Sequence, residues 1–511
     1  MTRHALPLMI TAALLAAGCT TTPPLSAPAA VHSVYPVDQD AAWLDRLSWG
    51  ASSASLAELR RVGRSAWLDA QLSARAPLTP DLQAQLSTLT ISQQNLAALV
   101  YAMEAQRKSA DALTDDAAKA AAQQAYQQAL NKLSREAATR ALLLAAYSPN
   151  QIQEQLTWFW FNHFNVHQYK HNLRAMVGDY EQGLRVRALG HFRELLGYTA
   201  HHPAMLRYLD NEQNAAGHIN ENYARELLEL HTLGVDAGYS QRDVQELARV
   251  LTGLGVNLSG TEPKLKPALQ TLYVHRGLME FNPARHDFGD KQLLGLSVRG
   301  RGLGELDQVL DLLARHPATA RFVSRQLAQA FVADVPPPAL VERMVQRWNQ
   351  TDGDMAEVMR AMIGSPEFDA SLGHKFKDPQ HFVVSAVRLA YNTKLVLNTG
   401  PMVSWLYRLG QAPYNRQTPD GYALDESAWA GPGQLNTRFE IARAIGSGSA
   451  GLFRVEGEKV DRPAFPQLAN PLYYEGIAPR LAVATQQTLD QAASPQEWAT
   501  LLLASPEFML R

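Results

Sequence analysis

A single cysteine, Cys19, stands in a chain of 511 residues. A body folded from the rest can close no internal disulfide. It can build no zinc site from thiolates either, so any metal would need His, Asp or Glu ligands. Charge of one sign is also lacking. Lys and Arg number 47 against 49 Asp and Glu, a formal net charge of -2. With no basic face to neutralise phosphates, nucleic acid is not an expected partner. No apolar run reaches the ~20 residues that a membrane-crossing helix needs. No Gly-x-x-x-x-Gly-Lys-Ser/Thr loop is present to cradle a phosphate, and no Gly-x-Ser-x-Gly elbow to expose a nucleophile. Nucleotide cofactors and serine or cysteine nucleophiles are thus unsupported. Chemistry would fall to carboxylates, imidazoles or a divalent metal held by them.

The start of the chain has the pattern of an export signal. Arg3 and His4 precede an apolar run from Leu6 to Ala17, interrupted by Pro7 and Thr11. That length suits a signal-peptide core. Leu15-Ala16-Ala17-Gly18-Cys19 resembles a bacterial lipobox, which implies cleavage after Gly18 and lipidation of Cys19. Ordinary cleavage nearby, with Cys19 incidental, is the alternative. Thr20 rather than Asp follows, which by resemblance to Gram-negative lipoproteins favours the outer membrane, facing periplasm or exterior. The Thr-, Pro- and Ala-rich stretch after Cys19 reads as a tether. The expected division is a signal at 1–18, a lipidated tether at 19–40 and a body at 41–511, with a sub-boundary near 369–379. The membrane is the expected partner through Cys19.

Hydrophobic periodicity makes the body mainly α, a multi-helix globular unit. Leu56, Leu59, Val62, Ala66 and Trp67 fall at helical spacing, in a segment running on to Ser73. Further helices are expected at 81–107, 151–169, 177–197, 203–211, 220–234 and 241–252, with Gly234 and Gly253 as stops. Asp115 and Asp116 open a long Ala- and Gln-rich helix to about Ala146, favoured by alanine's propensity. It reads as part of an inserted helical hairpin. Strand character is confined to 269–294, where Arg276-Gly277 joins two short runs in one small β-hairpin. Helices resume over 304–362 and again from Pro379, the latter group interrupted by a polar-aromatic loop from Gln411 to Gln434. His202-Pro203 and His316-Pro317 echo each other, as do Ser365-Pro366-Glu367-Phe368 and Ser505-Pro506-Glu507-Phe508. Shared helix-cap chemistry accounts for both echoes.

Three segments could carry chemistry. In Asn220–Gly234, a 3.6-residue period puts Glu221, Asn222, Arg225, Glu226 and Glu229 on one arc. This is either a solvated face with i,i+4 ion pairs or a polar face in a cleft, where crowding raises a carboxyl pKa into general-acid range. An opposing acid such as Asp210 would complete a pair. In the second segment, Asn162, His163, His167 and His171 follow an aromatic run. Three histidines at i+4 spacing could share a metal if the helix continues, although a core histidine is the simpler role for His163. The third holds His286, Asp287 and Lys291 after the hairpin, as a proton-shuttling group, a metal site or a turn. The Gln411–Gln434 loop carries Arg416, Asp420, Tyr422 and Trp429; long loops of this kind are often functional.

These segments resemble the bacterial family called domain of unknown function 1800, most specifically at Asn220–Gly234. The likeness extends through Trp160–Val166, His202–Asn211, Asp243–Gly253, His286–Gly295 and Gly410–Tyr422 to the C-terminal segment. The resemblance implies an exported protein whose signature includes Asn220, Glu221, Asn222, Arg225, Glu226, Glu229 and His231. His163, Asp210, Asn211, His286 and Asp287 match other family motifs. It also implies a sulfatase-like partner of the domain of unknown function 1501 family. The expected function is an envelope hydrolase acting on a polysaccharide or other cell-surface polymer. Glu221 or Glu226 would act as acid or base, assisted by Asp210 and His163. Asn162, Asn211, Asn220, Asn222, Arg225, Glu229, His231, His286, Asp287, Lys291 and Arg416 would bind. A non-catalytic assembly partner and a His/carboxylate metal enzyme are the alternatives.

Overall fold

The computed structural model describes residues 39–455 and 463–511. The signal, Cys19 and nearly all of the tether therefore lie outside the described residues. The body is mainly helical, with strands confined to two small antiparallel sheets. One contiguous set of buried apolar side chains runs from Ala41 to Met509. Among the described residues no helix is long and apolar enough to cross a membrane.

The Ala-rich hairpin pairs Leu96–Asp111 with Asp116–Tyr147. Asp115 caps the second helix by accepting the Ala118 N–H at 2.8 Å, satisfying one of its orphan donors. Tyr126, Leu130, Leu133 and Ala137 supply its buried stripe. Both echoes are caps. The His202 and His316 rings accept from Ala204 and Ala318 N–H groups, each with Pro at the first helical position. Ser365 and Ser505 hydroxyls accept from the Phe368 and Phe508 N–H groups. Gly234 and Gly253 take positive φ at 85° and 77°, where a Cβ would strain the backbone.

Several expected elements break where periodicity alone carries them through. Residues 81–107 divide into Pro80–Ser87, Thr90–Gln93 and Leu96–Asp111, the last restarting at an Asn95 cap. Residues 177–197 divide into Val177–Arg187 and Phe192–His201. The helix from Gln151 ends at His163. The expected single hairpin is real, Val274–Arg276 against Met279–Phe281, but Leu254–Val256 adds a third strand on the far edge of Met279–Phe281. Lys291–Leu293 and Leu296–Val298 form a second hairpin.

Arg46 ties the ends of the body together. Its buried guanidinium donates to the carbonyls of Phe331, Ser371 and Arg511 at 2.7, 2.6 and 2.5 Å.

Candidate functional site

The sequence candidates separate into distinct places. His163 is buried, with Nδ1 2.7 Å from the Gln326 amide and Nε2 3.1 Å from the His231 carbonyl. Burial lowers its pKa to about 4, so near neutral pH the ring is uncharged. His231 lies beside it, also buried, and neither of its ring nitrogens has a partner among the described residues. Because the helix stops at His163, His167 and His171 leave its face, and His171 takes a left-handed φ of 50°. The three-histidine arrangement is thereby undone. Among the described residues no group of three or more His, Cys, Asp and Glu is placed to hold a metal ion.

His286, Lys291 and Glu305 form a closed buried network. Glu305 accepts from His286 Nε2 at 2.9 Å, from Lys291 at 2.5 Å and from the N–H groups of Arg301 and Gly302. Burial opposes its charge, but these hydrogen bonds outweigh it and lower its pKa. Nearby, Asp287 is gripped by Arg249 at 2.8 and 3.2 Å. That hydrogen bonding carries its pKa down to about 2. Every group here is engaged, so the cluster joins the second hairpin to the Gly304–Arg315 helix. Glu305 escaped the sequence reading; its signal is a carboxylate in the first turn of a helix.

The asparagines staple the loop before the signature helix. Asn211 donates to the Leu251 and Leu254 carbonyls. Asn220 donates to Asp210 O, and Asn222 to Leu209 O. Asp210 itself holds Lys170 at 2.8 Å. These groups bring the Asn222–Glu229 helix up to a fixed position.

That helix buries Tyr223, Ala224, Leu227 and Leu228 and leaves its polar face partly open. Glu221 is occupied by Arg225 at 3.2 Å and Gln241 at 2.6 Å. Glu229 accepts only a 3.4 Å contact from Tyr239. Glu226 differs: it is half-buried, and its carboxyl makes no hydrogen bond or ion pair to any described residue. Burial first, then the neighbouring Glu229 and, more weakly, Asp420 raise its pKa, against Arg225. Asp420, from the long loop, thus lies in the field of Glu226, while Asp210 is paired with Lys170. Burial, Asp420 and Glu226 together raise the Tyr208 phenol, which lies in the same field.

The loop is strapped down from the end of the Gln151–His163 helix. Asn162 exchanges hydrogen bonds with the Tyr422 backbone at 2.9 and 2.6 Å. Asn165 donates to Arg416 O and Thr418 O. Gly421, at φ 73°, leaves no room for a Cβ beside Asn162. On the loop's outer side Arg416, Asp420, Tyr422 and Trp429 line a groove of about 340 Å³. Arg416 grips Asp420 at 2.8 and 3.0 Å, and Thr418 also donates to it.

Beneath the loop lies a small cavity of about 40 Å³, walled by Trp49, Trp158, Phe161 and Tyr414, room for a few waters at most. Trp49 Nε1, Gln411 Nε2 and Tyr414 Oη at its edge have no partner among the described residues. Arg185 bridges Glu154 at 2.9 Å and Glu181 at 3.2 Å beside it. Burial still leaves the Glu154 pKa raised. The signal for this trio is a charge inside an apolar helical face, as at Glu154.

Fold and site define a helical body with two small sheets and an acid-bearing signature helix opposed by a strapped aromatic loop. The chain belongs to the family described as protein of unknown function DUF1800, whose profile matches residues 42–510. Neither a curated protein nor a solved structure matches it.

Proposed function

We propose that this is an exported, lipid-anchored hydrolase of a cell-envelope polysaccharide or related surface polymer, working through Glu226 and Asp420. The observation that carries this reading is Glu226: a half-buried carboxyl with a raised pKa and no partner among the described residues. Structural acids in this body are consumed by donors, as Glu305 and Asp287 are. An acid left open beside two other carboxylates holds its proton more tightly than a free one, the direction a general acid needs.

Asp420 stays exposed, with Oδ2 held by Arg416 alone, and that open oxygen suits the base. In the proposed step Asp420 takes a proton from water while the water oxygen attacks the substrate carbon. The bond from that carbon to its leaving oxygen breaks, and Glu226 delivers a proton to that oxygen. Water is added across the bond, and solvent returns both carboxyls to their starting states. Tyr422, partly open in the groove, supplies a face of the kind sugar rings stack on, and Arg416 a charge for an anionic polymer.

Purified protein incubated with envelope polysaccharides should release products. Glu226→Gln and Asp420→Asn should each lower the rate by about 10²–10⁴-fold, the usual contribution of a positioned acid or base. Full activity in both folded variants rejects the assignment. For the anchor, Cys19→Ser should move the protein from membrane to soluble fraction and abolish lipid labelling; unchanged fractionation and labelling would refute lipidation.

A further inference from the structure

A second cavity, of about 410 Å³, lies away from the loop. It sits where the Gln39–Leu47 helix meets the 372–377 segment, the π-helical turn Tyr473–Ile477 and the segment around Phe508. Its size is that of a small-molecule site, and π-helical turns recur at functional sites. Leu389, Leu472, Ile477 and Phe508 make an apolar wall.

Its charges are unequally used. Lys377 is buried, 3.3 Å from Asp45 and over the Phe508 ring at 4.2 Å. Glu507 is turned to the Ala482 N–H at 2.9 Å and to the Thr485 hydroxyl at 3.1 Å. His374 is exposed at the edge. Arg480 remains: it lines the cavity half-buried in the field of Asp45, and its guanidinium makes no hydrogen bond or close ion pair to any described residue. Its guanidinium approaches so near Gly373 that a Cβ there would lie 2.6 Å from Nη2.

We infer that this cavity binds an amphipathic monocarboxylate, its apolar tail against Leu389, Leu472 and Phe508 and its carboxylate on Arg480. The match follows from chemistry. A guanidinium with no hydrogen-bond partner offers a planar fork to a carboxylate, and the apolar wall rewards a hydrocarbon tail. Asp45 and Glu507 disfavour a second negative charge, which selects a monoanion.

Calorimetric titration of the purified full chain with decanoate, below its micelle concentration, tests this. Saturable one-to-one binding is expected. Decanol, with the same tail and no charge, should bind at least about tenfold more weakly. Arg480→Gln should lower decanoate affinity by a similar factor without changing the melting temperature, and Arg480→Lys should restore part of it. Absence of saturable decanoate binding overturns the proposal. So does equal affinity for decanol, or an Arg480→Gln variant that binds as the parent does.

Discussion

Two acids, Glu305 and Glu226, show how differently this fold treats a carboxylate. Glu305 is sealed, with four donors aimed at it. Glu226 sits half-buried with none, among other acids that push its proton affinity up. Burial opposes the charge of both; the supply of donors decides the outcome. A saturated carboxylate is architecture because no lone pair is left for a substrate. An unsaturated one is held in a less comfortable state than water would give it, which marks it as a candidate for chemistry.

The largest expected effect breaks the sealed side. Glu305→Gln leaves Lys291 buried without its counter-charge and should cost about 3–5 kcal/mol of stability, the range for breaking a buried pair. Urea denaturation checks this; a loss below about 1 kcal/mol would erase the contrast. Glu226→Gln, tested above for activity, should change stability by no more than about 0.5 kcal/mol.

The next effect is on pH. His163 titrates near 4 in the fold and near 6.5 when unfolded. Between those values the unfolded chain binds the extra proton, so stability is complete above about pH 6.5 and falls as pH drops toward 4. For a fully buried ring the swing is on the order of 3 kcal/mol. His163→Gln should make this part of the stability profile shallower, buried His381 adding a similar slope of its own, and an unchanged slope would show that the His163 ring does not contribute. The smallest effect is at Glu221, whose ion pair with the part-exposed Arg225 is worth about 0.3–0.5 kcal/mol. Glu221→Ala should leave both melting and product release near parental values. A large loss of product release would return the acid role to Glu221.

The helical body was legible because period, caps and glycine stops agree, as at Asp115, Gly234 and Gly253. The breaks were less so. Nothing in Phe164-Asn165-Val166 forbids a helix. It ends there because Asn165 and Gln168 spend their hydrogen bonds on the Arg416, Thr418, Pro413 and Tyr414 carbonyls, far along the chain. The Leu254–Val256 strand is equally tertiary, existing only through its partner at Met279–Phe281. The same limit governs the site. Periodicity gathered Glu221, Glu226 and Glu229 onto one helix face. It carries no information on which groups from elsewhere in the chain come near that face, such as Asp420 of the long loop. Asp210 is spent on Lys170, a neighbour that only folding reveals.

Arg46 has a kinetic consequence. Its acceptors at Phe331, Ser371 and Arg511 lie 285, 325 and 465 residues away in sequence. A chain emerging from its N-terminus leaves this guanidinium to water through almost the whole of its synthesis. The first helix can therefore nucleate early but can lock last, which concentrates the slow, non-local steps of folding at a single side chain.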